Sequence, residues 1–426
     1  MKIYSLKGMK DYNIEKSYIW SYLFDKIKSI LVSYGFEFIN FPILENTLLF
    51  NKSLNNNILI NQIYSFLDKN SRNISLRPEG TSCCLRFAIE NGLLRGQKKK
   101  LWYFGPMFRY ENPQLYRYRE FYQLGIEAFG FNDINIELEI LLLMNNFFKD
   151  IDLLKKLVLE INFLGSIEIK NKYSKYLLNF FKENISIFNK IYSLKEIENN
   201  PFKILEIKNE YILDFMINNM YKIDSFLTIK DKEYFNKILN LLFFFKIPYK
   251  VNYFLIRGIN YYDGIIFEWK YYELKSKLSV CSGGRYNNLS KKLGGILTSG
   301  IGLAIGWDRL IEFFIIEKGY KNIKNNIKNK ILVIVNNIKY IKYAFLLSEN
   351  IRNLSIKLII NIDYSISSLN KKINYAIKNN FSYIFIIYKI YENKSIILIK
   401  DINNFNQKYV YSIDEVIDFI KKNMKI

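Results

Sequence analysis

Residues 108–123 read FRYENPQLYRYREFYQ: three arginines, four tyrosines and two carboxylates disposed about a single proline. A planar guanidinium presents paired N–H donors that match phosphate or carboxylate oxygens, so arginines gathered at a tight turn point to an anionic ligand. The aromatic residues add ring faces on which a nucleobase can stack, and the carboxylates can accept from a base amine or an ammonium. ATP would use all three. Taken alone, such a segment is more often a solvated hairpin with surface ion pairs, so its surroundings decide.

Toward the N-terminus, KKLWYFGPMFRY (99–110) and SLRPEGT (75–81) each look like a strand entering or leaving a sharp turn, and GFEFINFPILE (35–45) alternates apolar and polar residues up to Pro42. Ile19, Leu23, Ile27, Ile30 and Leu31 recur at helical spacing, which predicts an amphipathic helix from Asn13 to Tyr34, stopped by Gly35. Toward the C-terminus, glycine and proline thin out over about residues 166–250, a stretch of charged helical text that reads as a helical insertion. Glycine then returns in LIRGINYYDGIIFEW (255–269), CSGGRYNNLSKKLGG (281–295) and GIGLAIGWDRL (300–310). Beyond a lysine- and asparagine-rich stretch, the apolar runs KILVIVN, IKLIINI, SYIFIIY and SIILIK alternate with helix-length polar text; they predict a separate α/β domain over 328–426 with a largely parallel sheet.

Composition bounds the chemistry. Of 426 residues half are hydrophobic, enough for two or three domains with cores. No apolar run approaches the roughly 18 to 20 residues of a membrane span, and the first residues lack the apolar core of a signal peptide, so a cytoplasmic protein with no membrane partner is expected. Cys83, Cys84 and Cys281 fit neither a disulfide framework nor zinc-ligand spacing, and no metal-binding residues are assigned. The net charge of +22 suits a polyanionic partner, although excess Lys, Asn, Ile, Tyr and Phe is also what an AT-rich genome would produce. Histidine is absent altogether, which removes imidazole bases and histidine metal sites.

These motifs resemble the histidyl-tRNA synthetases, members of the class II aminoacyl-tRNA synthetases. FRYENPQLYRYREFYQLGIEAFG is similar to the second class II motif in its histidyl form, GIGLAIGWDRL to the third, and GFEFINFPILE to the first, with Pro42 as its proline. LIRGINYYDGIIFEW, CSGGRYNNL and SLRPEGT resemble segments of the histidine enzymes, and all stand in family order. The resemblance implies an α+β catalytic domain built on an antiparallel sheet over residues 1–320, interrupted by the insertion, and an anticodon-binding domain over 328–426. It implies a homodimer, with ATP and Mg²⁺, L-histidine and tRNA(His) as substrates and partners.

The resemblance also implies residue roles. Arg109 would hold the ATP α-phosphate and the histidine carboxylate, Glu111 the adenine amine, Phe121 the ring face, Arg309 the γ-phosphate, and Arg117 would lie near the triphosphate. Glu79, Gly80, Thr81 and Gln123 would surround the substrate ammonium; Glu127 with Tyr262 would bind the imidazole, and Tyr261 would line the pocket. Arg257 would reach the α-phosphate opposite Arg109, making Arg257 and Arg109 the catalytic pair. Glycines 258, 283, 284, 300, 302 and 306 would let backbone approach the ligand. The sequence departs from the family at Tyr110 and Tyr122, where histidines are usual, at Asn112, at Asn260, and at Leu115 and Tyr116 in the hairpin tip. A rival reading is a non-catalytic, histidine-sensing regulatory subunit of ATP phosphoribosyltransferase. Such relatives lose the catalytic arginines and the last domain, both kept here.

Overall fold

The computed structural model describes residues 3–54, 58–113, 116–189, 191–207, 209–256, 261–272, 278–324, 330–354, 358–365, 367–391 and 394–424. They divide into two compact units, residues 1–317 and 318–426.

The expected first helix spans Ile14–Ser33, opened by Asn13, whose side chain accepts from the Lys16 amide at 2.9 Å, and followed by Gly35 at a φ of +75°. Ile19, Leu23, Ile27 and Leu31 are its buried stripe. The strands that follow are β1 (Glu37–Phe38), β2 (Leu44–Asn46), β3 (Ser65–Leu67), β4 (Asn73–Leu76), β5 (Lys99–Phe108), β6 (Glu120–Phe129), β7 (Leu157–Phe163), β8 (Tyr249–Val251), β9 (Ile265–Tyr271), β10 (Leu278–Arg285) and β11 (Gly300–Gly306). Eight of them form one sheet in the order β1-β5-β6-β11-β10-β9-β7-β8. Its six central strands are antiparallel, and the short β1 and β8 close the two edges in parallel. β2, β4 and β3 make a small separate sheet. Buried Arg77 ties the first motif to β5, the strand that leads into the second: Nη1 donates to the Phe41 carbonyl at 2.9 Å and Nε to the Pro106 carbonyl at 2.8 Å.

Between β7 and β8 the chain is helical, with helices at Ile167–Glu183, Leu194–Asn199, Glu210–Asn219 and Ile229–Phe244. The last opens with a capping box in which Thr228 and Asp231 satisfy each other's backbone amides. These helices do not stand apart. Tyr173, Leu177 and Phe181 share one contiguous core with Leu255, Tyr261, Tyr262 and Tyr286.

In the second unit, β12 (Lys330–Val335), β13 (Ile359–Asp363), β14 (Tyr383–Ile390), β15 (Ser395–Asp401) and β16 (Gln407–Val410) form a sheet in the order β13-β12-β14-β15-β16. It is not largely parallel. β12 pairs in parallel with β13 and β14, but β14, β15 and β16 run antiparallel. The reason is connection length: Tyr391 to Lys394 closes one reversal with an amide-to-carbonyl bond of 2.7 Å, and Asp401 to Asn406 closes the next at 2.8 Å, neither leaving room for a crossover helix. Apolar residues on both faces of β12 and β14 form two separate cores.

Candidate active site

Alternate residues of β6 share one face, which places Phe121, Gln123, Gly125 and Glu127 in a row. Directly opposite on β5 lie Met107, Gly105, Tyr103 and Leu101, and on β11 Gly306, Ala304 and Gly302 face Gln123, Gly125 and Glu127. Gly284 and Ser282 of β10 continue the row to Ile266 and Glu268 of β9. The floor is made of glycine and small residues because other side chains lie across it. A Cβ on Gly302 would stand 1.8 Å from Glu127 Oε2, one on Gly125 2.1 Å from Tyr103 Cζ, and one on Gly284 2.9 Å from Tyr262 Cδ1. Gly80 likewise would meet the Tyr103 ring at 2.1 Å, and Gly300 the Tyr286 ring at 2.4 Å. At Gly80, Gly125, Gly300 and Gly302 the protein's own side chains need the space, while Cβ atoms on Gly283 and Gly284 would fall nearest to the Gly302 and Ile265 carbonyl oxygens, at 2.2 and 2.6 Å. Gly306, whose nearest side-chain neighbour is Arg309 at 3.8 Å, is the open one.

At one end of the row sits Glu127, 1 % exposed. Thr81 Oγ1 donates to its Oε1 at 2.7 Å, Tyr103 OH to the same oxygen at 3.2 Å, and Tyr286 OH to Oε2. Burial nevertheless raises the carboxyl to about 8, the three hydroxyls only partly offsetting it. The rings of Tyr261, Tyr262 and Tyr286 stack edge-on or tilted at 4.9 to 6.4 Å between centroids, walling the same place. Glu79, also buried, receives the amides of Thr81 at 2.7 Å and Ser82 at 3.0 Å, and so caps the helix Thr81–Glu90. Gln123 Oε1 is buried with no hydrogen-bond partner among the described residues.

At the other end three arginines converge. Arg309 Nη1 donates to the Ser279 carbonyl at 3.1 Å and Nε to the Tyr116 carbonyl at 3.3 Å. Burial, then the charges of Arg117 and Arg109, push its guanidinium down to about 10, with Glu111 and Glu268 opposing. Arg109 is held by its Nε on the Pro78 carbonyl at 2.9 Å and lies over the Phe121 ring, 4.9 Å from its centroid. Arg119, by contrast, is used up locally: its amide donates to the Gly8 carbonyl, its Nε to the Glu111 carbonyl, and its guanidinium covers the Tyr110 ring. Tyr122 points to the opposite face of β6, packed between Phe104 and Trp20. The departures at Tyr110 and Tyr122 thus fall outside the row. Asn112 is exposed, whereas Leu115, Arg257, Gly258 and Asn260 lie outside the described residues.

Two contributors were not singled out from the sequence. Tyr103 was hidden in the apolar strand β5, and what marks it is that it faces Gly125 across to β6, which the sequence does not display. Asp308 precedes Arg309; its carboxylate accepts from the Tyr122 amide at 2.9 Å and from the Tyr12 hydroxyl, pinning the helix Trp307–Lys324 to β6. Both are structural supports of the row.

A face of this kind, with an arginine cluster on a hairpin and on the helix after the last strand, has the architecture of the class II aminoacyl-tRNA synthetases. A sequence model described as histidyl-tRNA synthetase matches residues 8–310. The chain is 39 % identical over 424 residues to the histidine–tRNA ligase of Buchnera aphidicola subsp. Schizaphis graminum, covering 99 % of this chain and 98 % of that one. It is 35 % identical to that of Francisella philomiragia subsp. philomiragia, covering 99 % of each. The apo S. aureus histidyl-tRNA synthetase superposes with a TM-score of 0.77 at 26 % identity, over 99 % of this chain and all of that one. A Bacillus halodurans protein described as an ATP phosphoribosyltransferase regulatory subunit/histidyl-tRNA synthetase shares the fold, with a TM-score of 0.63 at 18 % identity over 90 % of this chain and 98 % of that one. The chain belongs to the histidyl-tRNA synthetase family.

Proposed function

We propose that the chain is a histidine–tRNA ligase, which converts L-histidine and ATP to histidyl-adenylate and pyrophosphate and then passes histidine to the 3′ end of tRNA(His). The observation that carries this is the pairing, on one sheet face, of a cluster of three arginines with a buried carboxyl set among hydroxyls. Like charges held together are costly until a polyanion arrives, and a triphosphate would relieve Arg109, Arg117 and Arg309 at once. Arg109 takes the α-phosphate and the amino-acid carboxylate, Arg309 the γ-phosphate, Phe121 the adenine ring and Glu111 its amine. Gln123, with its buried unpartnered acceptor, receives the substrate ammonium together with Glu79, Gly80 and Thr81. Glu127 and Tyr262 hold the imidazole, with Tyr261 beside them. A pocket so furnished rejects apolar analogues, which would leave its polar groups unpaired.

In the reaction the histidine carboxylate attacks the α-phosphorus and pyrophosphate leaves in line. The protein holds the two reactants and stabilises charge spreading over the phosphoryl oxygens. Arg257 is proposed to share this task with Arg109. Mg²⁺ is proposed to accompany ATP, where it would neutralise part of the triphosphate charge beside the arginines.

Residues 328–426 are proposed to read the anticodon: 16 basic residues against seven acidic give them +9. A cavity of about 570 Å³ beside edge strand β13, lined by Tyr364, Tyr375, Lys371 and Asn361, offers ring faces and donors to an unstacked base. A homodimer is proposed through the first motif, where Phe38, Ile43 and Leu44 are exposed, as are Phe66 and Leu67 on the small sheet that Leu44 joins. No described helix is long and apolar enough to cross a membrane, and we place the enzyme in the cytoplasm. Pyrophosphate exchange tests the activity: it should require histidine, and exchange supported by another amino acid instead would overturn the pocket. Retention of Arg109 and Arg309 weighs against a purely regulatory protein, which would show no exchange.

A further inference from the structure

Behind the tyrosine wall lies a buried cation that the adenylation chemistry does not use. Lys170 sits in the first turn of Ile167–Glu183, the opening helix of the insertion, and is 7 % exposed. Its ammonium donates to the Tyr262 carbonyl at 3.1 Å and stands in the field of Asp263, while burial lowers it to about 8. Asp263 is itself buried and accepts from the Asn287 amide at 3.1 Å, the Asn287 side chain at 2.9 Å and the Asn288 side chain at 3.0 Å. Asn287 follows Tyr286, whose hydroxyl donates to Glu127. The root of the insertion is stitched to the same place, Leu164 donating to the Gly264 carbonyl at 2.7 Å and Gly264 to the Gly165 carbonyl at 2.8 Å.

A methionine or leucine at position 170 would fill this core without desolvating a charge, and an ammonium is expensive to bury. What the ammonium adds is a directional bond to the backbone of Tyr262 and a counter-charge for Asp263. We propose that Lys170 is a positioning residue for the amino-acid pocket: from the insertion it fixes the Tyr262–Asp263 backbone, and with it the Tyr262 and Tyr286 walls, so that the insertion sets the affinity for histidine. This rests on the reading that Glu127 and Tyr262 hold the imidazole. Anything that displaces the insertion, such as an RNA bound along it, then changes histidine affinity without touching the ATP cluster.

The test is pyrophosphate exchange on the full chain with Lys170→Met and Lys170→Arg, measuring KM for histidine and for ATP separately and melting temperature alongside. Lys170→Met should raise the histidine KM about tenfold or more, as loss of one charge-assisted hydrogen bond would, while the ATP KM stays within about twofold. Lys170→Arg should recover part of the loss. If both KM values rise together with a lower melting temperature, or neither moves, Lys170 is a fold support only and the inference is overturned. Should Lys170→Met fail to fold, Asp263→Asn carries the same expectation from the other side of the contact. Wild-type exchange that ignores histidine would instead topple the pocket reading itself, a result separate from the behaviour of the variants.

Discussion

The two compact units carry nearly equal net charge and use it in opposite ways. Residues 1–317 hold 43 basic and 33 acidic residues, a net +10, and residues 318–426 reach +12 with a third of the length. In the first unit most of the informative charges are withdrawn from water and fixed, exposed Arg117 being the exception. Arg309 is anchored on two carbonyls beside Arg109 and Arg117, Glu127 lies among three hydroxyls, and Arg285 pairs with buried Glu137 at 2.5 Å. In the second unit the lysines mostly reach solvent; Lys372, 4 % exposed and 3.8 Å from Asp363, is an exception. Fixed, desolvated charge recognises a particular small ligand, because each group is strong and costs nothing to orient at the moment of reaction. Solvated charge attracts a long polyanion without choosing its sequence. The comparison predicts that single substitutions will matter most in the first unit and ionic strength most in the second.

The largest effect is expected from the arginine cluster. Arg109→Ala should lower kcat/KM for pyrophosphate exchange roughly 10³-fold, about 4 kcal/mol, because it removes a fixed donor from developing charge. A fall of less than tenfold in a folded protein would mean that the cluster is not the triphosphate site. Next comes Glu127→Gln, which should raise the histidine KM roughly 10²-fold with the ATP KM nearly unchanged, in keeping with a charge-assisted hydrogen bond in a dry pocket. Equal effects on both substrates would merge the two ends of the row that the structure keeps apart.

Ionic strength separates the units. Between about 50 and 200 mM salt the KM for tRNA should rise roughly 10- to 100-fold through counterion release, if three or four phosphates are neutralised. Pyrophosphate exchange over the same range should change by less than about twofold. A tRNA KM flat with salt would deny the second unit its electrostatic role.

How much of this was legible depended on whether a residue's partner was near in the sequence or across the sheet. The hairpin arginines and the helix stripe ending at Gly35 were readable from local turn chemistry and helical spacing, whereas the final arginine of the last motif stood out only through the family resemblance. The α/β character of the second unit was readable from its apolar runs. Its two antiparallel reversals were not, since β16 carries only QKYV and three of those four residues are exposed. Tyr103 was illegible because its meaning lies in facing Gly125 and Gly80, a matter of register that no single strand encodes. Lys170 was illegible for the same reason: in the sequence it is one more lysine in a charged helix, and only the fold turns it inward.

The smallest effect, and the sharpest probe of a fixed charge, is the pH dependence of the unliganded protein. Burial raises the Glu127 carboxyl from 4.5 to about 8, so the folded chain keeps a proton that the unfolded chain releases. The stability this group contributes is therefore complete below about pH 4.5 and is lost as pH rises toward 8, at no more than about 1.36 kcal/mol per pH unit. Glu127→Gln has the donor and acceptor pattern of the protonated carboxyl and does not titrate. Between pH 5 and 8 the wild type should accordingly lose roughly 5 °C more in Tm than Glu127→Gln, taking about 2 °C per kcal/mol for a domain of this size and allowing for partial relaxation. Histidine bound at saturation should shrink that difference, because a partner for the carboxylate lowers its proton affinity. Parallel pH profiles for the two proteins would mean that water reaches Glu127 in the free enzyme, and the contrast between a dry first unit and a solvated second would fail at the residue on which it most depends.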